Sequence, residues 1–515
     1  MNSLLSKIKE SIESKNFLEA EELSWALYSQ NKTDFIAMKT LGLSLLLQNK
    51  YYGAIDIYQK ALEKKKDNFD VLNNLSHLYL KIEEFEKSEE LGKLANSINP
   101  DEYLPYVTLL DLYVRKRQYE DAYAHTVELL KRIKFETLLN NPNVAYLIFD
   151  TYLAANKKED AAKLLRYFYS KVFNPDIFYY HSTFDPDSIN KEIEKVAFEV
   201  LEKTSFENLV QKGKTFGPIY FGLAKVNEKK KNMNLSDDQY LKANTFVSDL
   251  LRYHPMSNQK MIKNIKKNFT SEKKLDLPEH HDENLIFILG MPRSGTTLVE
   301  SIIGSSSNAI SGGELRSLYE LFKIYYDEED NDFFNTLDPG SDYLRRISYI
   351  RSDYKYFVDK LPGNIYNIGF IRKVFPRSKI IYLKRDPWDN AISIYKQFYV
   401  SNIPYSSSFF NIAVNYANHE ELMRFWAEDM KINFLTINYE SLVKNTEEFA
   451  SKIFDYCQID EKYSAETRKS FFARTASKNQ VTKDVHTQSI GKKSFESKKA
   501  DFIQNLENQR LYWKG

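Results

Sequence analysis

The segment LIFILGMPRSGTT, residues 285–297, decides the fold of the C-terminal half of this chain. Its first six residues are an apolar run of strand length, and a loop rich in glycine and hydroxyl groups follows, leading into a helix that we expect to begin near Thr297. The loop has the frame of a phosphate-binding loop, except that Thr296 stands where nucleotide triphosphatases have a lysine. Its backbone N–H groups would converge on an anion at the helix N-terminus, and Arg293 would supply the positive charge.

Downstream of this segment, stretches typical of strands alternate with stretches typical of helices. The further strand candidates are YFVDK at 356–360, SKIIYLKRD at 378–386 and INFLTINYE at 432–440. Strands that alternate with helices predict a P-loop-like α/β domain with a parallel sheet. Ligands bind such sheets at the C-terminal ends of the strands, so the residues just after each strand are the candidates for chemistry.

The N-terminal part has an internal repeat instead. Aromatic residues recur every 34 positions, and three positions after each comes a small residue; the pairs are Phe17 and Ala20, Tyr51 and Ala54, Phe85 and Ser88, and Tyr119 and Ala122. A 34-residue period with small residues at fixed places resembles the tetratricopeptide repeat, which predicts an all-α superhelix. We predict three regions: a repeat domain at 1–170, a helical extension and linker at 171–283, and the α/β domain at 284–515. Within the extension, the segment FNPDIFYYHSTFDPD fits no regular element, and 265–284 has the composition of a linker.

Composition excludes several classes of function. The 515 residues hold 72 Lys and Arg against 71 Asp and Glu, a balance that argues against a nucleic-acid-wrapping protein. The single cysteine, Cys457, excludes an internal disulfide framework, and the eight histidines lack ligand spacing, so no metal site is expected. No signal peptide and no run of about 18 apolar residues is apparent, so we expect a cytoplasmic protein without a membrane span.

A second cationic position follows the third strand candidate. Arg385 ends this strand, and Ser393 lies eight residues further on the next helix, so the two could clasp a second phosphate. The alternative is that Arg385 only pairs with Asp386 at the surface. Glu314 follows a short strand and is the candidate general base, although it could instead be a carboxylate stabilised at a helix N-terminus. Lys360 ends a strand and would either act in the site or extend to solvent.

Taken together, PRSGTTL, SGGEL, VDKLP, LKRDPWDNAISIY and NYESLV resemble a sulfotransferase that uses 3′-phosphoadenosine-5′-phosphosulfate (PAPS). The chain is similar to bacterial proteins with tetratricopeptide repeats ahead of a sulfotransferase domain, and its catalytic half is similar to tyrosylprotein sulfotransferases. The resemblance implies a loop for the 5′-phosphosulfate formed by Arg293, Ser294, Gly295, Thr296 and Thr297. It also implies a 3′-phosphate pair in Arg385 and Ser393, an adenosine contact in Tyr439, and a closing segment with Ser477 and Lys492.

The resemblance further implies that Glu314 is the catalytic base and that Lys360 acts at the departing bridging oxygen. From its position in the closing segment, His486 is the alternative base. The sequence departs from this resemblance at one position. The tyrosylprotein enzymes have a further basic residue twelve positions after the arginine that Arg385 matches, and this chain has Gln397 there. Lys396 beside it could compensate, but helix geometry would aim it about 100° away.

The function expected is therefore PAPS-dependent transfer of a sulfuryl group to an acceptor hydroxyl, with fixed positive charge and no metal. The acceptor would be a protein or peptide tyrosine, or a glycan, and the repeats would present it or mediate self-association into a homo-oligomer. The sequence does not distinguish these acceptors. Two alternatives stay open: an interaction scaffold with an inactive transferase domain, and a P-loop kinase, against which the missing lysine argues.

Overall fold

The computed structural model describes residues 2–134, 137, 141–171, 173–205, 208–251, 253–270, 277–321, 338–399, 403–469, 471, 485, 487 and 490–514. The chain forms two compact units. The first consists of residues 1–156 with 345–350, and the second of residues 157–344 with 351–515. No helix of the described ranges is long and apolar enough to span a membrane.

The first unit is built from antiparallel helix pairs. Its helices are α1 (Asn2–Glu13), α2 (Phe17–Gln30), α3 (Phe35–Leu47), α4 (Tyr51–Lys64), α5 (Phe69–Lys81), α6 (Phe85–Ile98), α7 (Leu104–Arg115), α8 (Tyr119–Arg132) and α9 (Pro142–Ala154). Each aromatic residue of the 34-residue frame is the first residue of the second helix in its pair. A left-handed residue lies two positions before each of them, at Lys15, Asn49, Glu83 and Arg117, with φ between 58° and 63°. The turn therefore repeats with the same period as the sequence.

The small residues of the repeat lie where helices touch. Ala20, Ala54, Ser88 and Ala122 are all fully buried. Gly42, in the middle of α3, lies against the ring of the buried Tyr58 on α4, and a Cβ atom at position 42 would come within 2.7 Å of that ring. The tetratricopeptide-like helical architecture predicted from the spacing is thus confirmed.

The second unit begins with six helices: α10 (Lys158–Lys171), α11 (Pro175–Phe184), α12 (Lys191–Lys203), α13 (Leu209–Lys229), α14 (Met233–Leu251) and α15 (Pro255–Thr270). The prediction of an irregular segment around FNPDIFYYHSTFDPD was wrong, because the side chain of Asn174 accepts hydrogen bonds from the N–H groups of Asp176 and Ile177 and caps α11. The predicted linker was also wrong in its first part, since α15 continues to Thr270.

A five-stranded parallel sheet follows, with strands β1 (Leu285–Gly290), β2 (Ala309–Gly313), β3 (Tyr356–Lys360), β4 (Lys379–Lys384) and β5 (Leu435–Asn438). The strand order is β2-β3-β1-β4-β5, so β1 lies at the centre and is buried along its whole length. The parallel sheet is confirmed. The strand predicted at 432–440 is shorter, because Tyr439 already begins a helix.

The further helices of this part of the chain are α16 (Thr296–Ile303), α17 (Pro339–Arg351), α18 (Ile368–Val374), α19 (Pro387–Tyr395), α20 (Phe409–Arg424), α21 (Tyr439–Lys444), α22 (Thr446–Cys457), α23 (Ala465–Lys469) and α24 (Glu496–Lys514). All belong to the second unit except residues 345–350 of α17, which are part of the first. One apolar cluster joins the preceding helices to this fold. In it, Phe221 of α13 and Tyr240 of α14 pack in the same core as Trp388 of α19. The Asn244 side chain adds a hydrogen bond of 3.0 Å to the carbonyl of Tyr395. Helices α13 and α14 are therefore integral to the unit that contains the sheet.

The packing of α3 on α4 gives a prediction for Gly42→Ala. The new methyl group would clash with the Tyr58 ring, which is fully buried, so we expect a loss of about 1–3 kcal/mol of stability despite the gain in helix propensity. The control is Gly53→Ala in α4, where the nearest atom to the added Cβ is 3.7 Å away. Thermal unfolding and hydrogen exchange of α3 and α4 should show the first variant destabilised and the second unchanged or stabilised. Equal behaviour would contradict the close packing.

Candidate functional site

The C-terminal edge of the sheet collects the residues that the sequence singled out. The 291–295 loop follows β1, Glu314 follows β2, Lys360 ends β3, Arg385 follows β4 and Tyr439 follows β5. Because all five strands are parallel, these positions meet at one edge although they are far apart in the chain.

The loop after β1 has a backbone that only certain residues tolerate. Arg293 has φ +66° and Gly295 has φ +105°, and a Cβ atom at Gly295 would lie 2.4 Å from the Tyr439 ring. The first N–H groups of α16 then point towards the loop without intrahelical acceptors. The hydroxyl of Ser294 is buried and has no hydrogen-bond partner among the described residues. The loop thus forms a tight cradle that presents polar groups suited to the oxygens of an anion.

The side chain of Arg385 connects three segments of the site. Its guanidinium donates a hydrogen bond of 2.7 Å to the carbonyl of Arg293 and stacks 4.5 Å from the ring centroid of Tyr439. Arg293 in turn donates from Nε to the hydroxyl of Ser393 at 3.2 Å. The structure therefore brings the predicted loop, the predicted phosphate pair and the predicted adenosine contact into one place. The alternative of a surface pair between Arg385 and Asp386 does not fit, because Arg385 is 5% exposed.

Lys492 reaches the same place from the C-terminal segment. The backbone N–H groups of Gly491 and Lys492 donate to the two carboxylate oxygens of Asp389 at 2.7 and 2.9 Å. Burial, reinforced by the charges of Arg385 and Lys396, lowers the pKa of Lys492 to about 7. The Lys492 ammonium makes no hydrogen bond or ion pair within the described part of the chain, so it remains available to an anion.

Sequence reasoning missed Asp389, which fixes this segment. Its signal was weak, because a carboxylate in the first turn of a helix is usually explained by the helix dipole. Ser477, which the resemblance places at the donor, and His486, the alternative base, both lie outside the described residues.

A buried lysine joins two carboxylates near β2. Lys360 is fully buried, donates to Glu314 Oε1 at 2.5 Å, and lies 3.7 Å from Glu300 Oε2. The Glu314 side chain is 42% exposed, whereas Glu300 on α16 is buried and accepts from the Ser311 hydroxyl at 2.6 Å. Lys360 therefore does not extend to solvent. Glu300 was also missed, because nothing in TTLVESII distinguishes it from an ordinary surface glutamate.

Gln397, which stands where the tyrosylprotein enzymes have a cation, and Lys396, the possible replacement, are both engaged elsewhere. Gln397 accepts a hydrogen bond of 3.2 Å from the Tyr179 hydroxyl. Lys396 is buried and donates to Glu228 Oε1 and to the Ser494 hydroxyl, at 3.0 and 2.9 Å. Within the described ranges, no group of three or more His, Cys, Asp or Glu side chains could hold a metal ion.

The part of the chain that contains this site matches a known protein family. Residues 285–463 match the model of the Sulfotransferase family. A curated protein of Aquifex aeolicus (strain VF5), described as uncharacterized, is 24% identical over 486 residues, which cover 90% of this chain and 53% of that protein. The chain thus spans about half the length of this relative.

Two solved structures are similar to parts of the chain. A tetratricopeptide repeat protein from Parabacteroides merdae ATCC 43184 covers 48% of this chain and 92% of its own length, with 16% identity and a TM-score of 0.34. Sulfotransferase STF9 from Mycobacterium avium covers 62% of this chain and 95% of its own length, with 13% identity and a TM-score of 0.26. The match to the Sulfotransferase family model thus covers residues 285–463, which include the sheet and the loops that follow its strands, and tetratricopeptide-like helical repeats precede this segment in the chain.

Proposed function

We propose that this protein transfers a sulfuryl group from PAPS to an acceptor hydroxyl. The observation that carries the proposal is the grouping of Arg293, Arg385 and Lys492 around a phosphate-type loop without the triphosphatase lysine. Such a loop suits a donor whose negative charge is distributed over two separate phosphate positions.

The donor would lie along the C-terminal edge of the sheet. The N-terminus of α16 with Ser294, Thr296 and Thr297 would hold the 5′-phosphosulfate through N–H and hydroxyl groups. Arg385, Ser393 and Lys492 would hold the 3′-phosphate. Tyr439, which already stacks on Arg385, would contact the adenosine.

Glu314 and Lys360 have complementary roles in the proposed transfer. The acceptor oxygen loses its proton to Glu314 and forms a bond to sulfur, while the bond from sulfur to the bridging oxygen breaks in line. Lys360 donates a hydrogen bond to the bridging oxygen, which leaves with the bisphosphate product. Glu300 keeps the Lys360 ammonium partly balanced when Glu314 turns to the acceptor, because its Oε2 lies 3.7 Å from that ammonium.

The acceptor and its presentation are part of the proposal. Repeat arrays of helix pairs commonly bind peptides or protein segments, which favours a tyrosine hydroxyl in a protein or peptide, with a glycan hydroxyl as the alternative. The repeats would bind that acceptor or join two copies of the chain. We place the reaction in the cytoplasm, where the donor would be a soluble co-substrate.

The test of donor binding is calorimetric titration with 3′-phosphoadenosine-5′-phosphate. We expect Arg385→Met to weaken binding about 10- to 100-fold, because a charge-assisted hydrogen bond to a dianion is worth about 1.5–3 kcal/mol. The matched control is Lys384→Met, which removes the same charge one residue earlier, from an exposed strand end. The original protein must bind the bisphosphate for this comparison. If both variants then lose affinity equally, or if neither loses it, Arg385 is not part of the donor site.

The lowered pKa of Lys492 gives a pH dependence. In the ligand-free protein Lys492 is protonated below about pH 7 and loses its proton as the pH rises. A bound phosphate dianion favours the charged form, so affinity for the bisphosphate should fall by about tenfold or more between pH 7 and 9. Lys492→Arg keeps its charge over this range and should flatten part of the profile. A flat profile for the original protein would contradict this role.

Glu314→Gln should separate catalysis from binding. Loss of the base should lower kcat by about 100-fold or more, with bisphosphate affinity within about twofold of the original value. The assay uses PAPS with tyrosine-containing peptides and with sugars as acceptors. Glu320→Gln, which removes a carboxylate paired with Arg316 at 3.2 Å, is the control. Unchanged turnover in Glu314→Gln would assign the base to another group.

A further inference from the structure

Lys225 is an unusual residue for its position on α13. The residues on either side of it, Ala224 and Val226, are fully buried, and the Lys225 side chain is itself only partly accessible. Lysine is rarely buried without a charged partner. The residue also lies outside the segment 285–463 that matches the family model.

The acidic neighbour of Lys225 is already engaged. Glu228 lies one helical turn further along α13, where Oε1 accepts from the Lys396 ammonium at 3.0 Å and Oε2 accepts from the Tyr240 hydroxyl at 3.0 Å. The Lys225 ammonium lies 5.8 Å from the centroid of the Tyr240 ring, and the Lys396 ammonium lies 5.2 Å from the same centroid. Two ammonium groups therefore share one aromatic ring and one carboxylate.

Within the described part of the chain, Lys225 has neither a hydrogen bond nor an ion pair. Burial lowers its pKa to about 8; Glu228 opposes this shift, and the positive charges of Arg293 and Lys396 add to it. A desolvated cation facing other cations destabilises the ligand-free protein. Its presence is explained if an anion occupies the space that these cations surround.

Lys225 and the segment that carries Lys492 converge on Lys396. Lys225 shares the Tyr240 ring with Lys396, and the Lys396 ammonium donates a hydrogen bond of 2.9 Å to the hydroxyl of Ser494, two residues after Lys492. Lys225 and Lys492 both lie within electrostatic reach of Arg293, Lys396 and Glu228. Arg293 holds the hydroxyl of Ser393, so this space adjoins the phosphate pair described above.

We propose that Lys225, on a helix ahead of the sulfotransferase-family domain, binds the 3′-phosphate of the nucleotide donor together with Arg385, Ser393 and Lys492. The inference rests on the proposed function. It assigns α13 to the donor site and supplies the cation that neither Gln397 nor the engaged Lys396 provides. The repeats of the first unit are not required for this role.

The test compares 3′-phosphoadenosine-5′-phosphate with adenosine 5′-phosphate, which lacks the 3′-phosphate. Calorimetric titrations of the full chain should show Lys225→Met binding the bisphosphate about tenfold or more weakly, with adenosine 5′-phosphate affected less than about twofold. Lys225→Arg should stay near the original affinity for the bisphosphate. Lys229→Met on the same helix, where the side chain is 54% exposed and pairs with Asp187, should change neither ligand.

The outcomes separate this inference from the proposed function. Unchanged bisphosphate affinity in Lys225→Met, with normal binding by the original protein, overturns the inference and leaves the proposed function in place. An equal loss for both nucleotides overturns the assignment to the 3′-phosphate. No bisphosphate binding by the original protein overturns both.

Without ligand, Lys225→Met and Lys225→Gln should melt no lower than the original protein. A lower melting temperature in both variants would contradict the unpaired state of Lys225.

Discussion

The contact between the Arg385 guanidinium and the carbonyl of Arg293 is the interaction on which the site depends. It ties the end of β4 to the loop after β1, and the ring of Tyr439 stacks against the same guanidinium. Because Gly295 has no side chain, Tyr439 can approach the loop closely enough for this stack. One buried cation therefore sets the loop, the strand end and the start of α21 in register before any ligand arrives.

Two carboxylates hold the C-terminal segment through its backbone and do not pair with the Lys492 ammonium. Asp389 accepts the N–H groups of Gly491 and Lys492, and Asp237 accepts the N–H of Phe495 at 3.0 Å. The acidic residues thus position the backbone of the C-terminal segment and leave the Lys492 side chain available to a ligand, whose negative charge would favour its protonated form. Desolvating such a cation lowers the stability of the ligand-free protein, and a bound phosphate restores that free energy. A substitution that removes the cation is therefore expected to raise ligand-free stability and to lower ligand affinity.

Much of this arrangement could be predicted from sequence, because local signals specify it. A 34-residue period predicts the helix pairs, and in a parallel sheet every residue that follows a strand reaches the same edge, which places Arg385 and Glu314 on one edge of the sheet. The less predictable features depend on tertiary packing. Lys225 precedes the family domain by 60 residues, and only the packing of α13 and α14 against α19 brings it near Arg293. The helical direction of Lys396 indicated that it would point elsewhere, and the partner it contacts, Glu228, could not be inferred from spacing.

The central claim is that the second unit binds a nucleotide with separate 3′- and 5′-phosphates. The most direct measurement is a thermal melt with 3′-phosphoadenosine-5′-phosphate, set beside ATP with magnesium. At about 100 times its dissociation constant the bisphosphate should add about 2.7 kcal/mol of stability, a shift of several degrees, and ATP should add little. A shift with ATP and magnesium alone, or with neither ligand, would contradict the account.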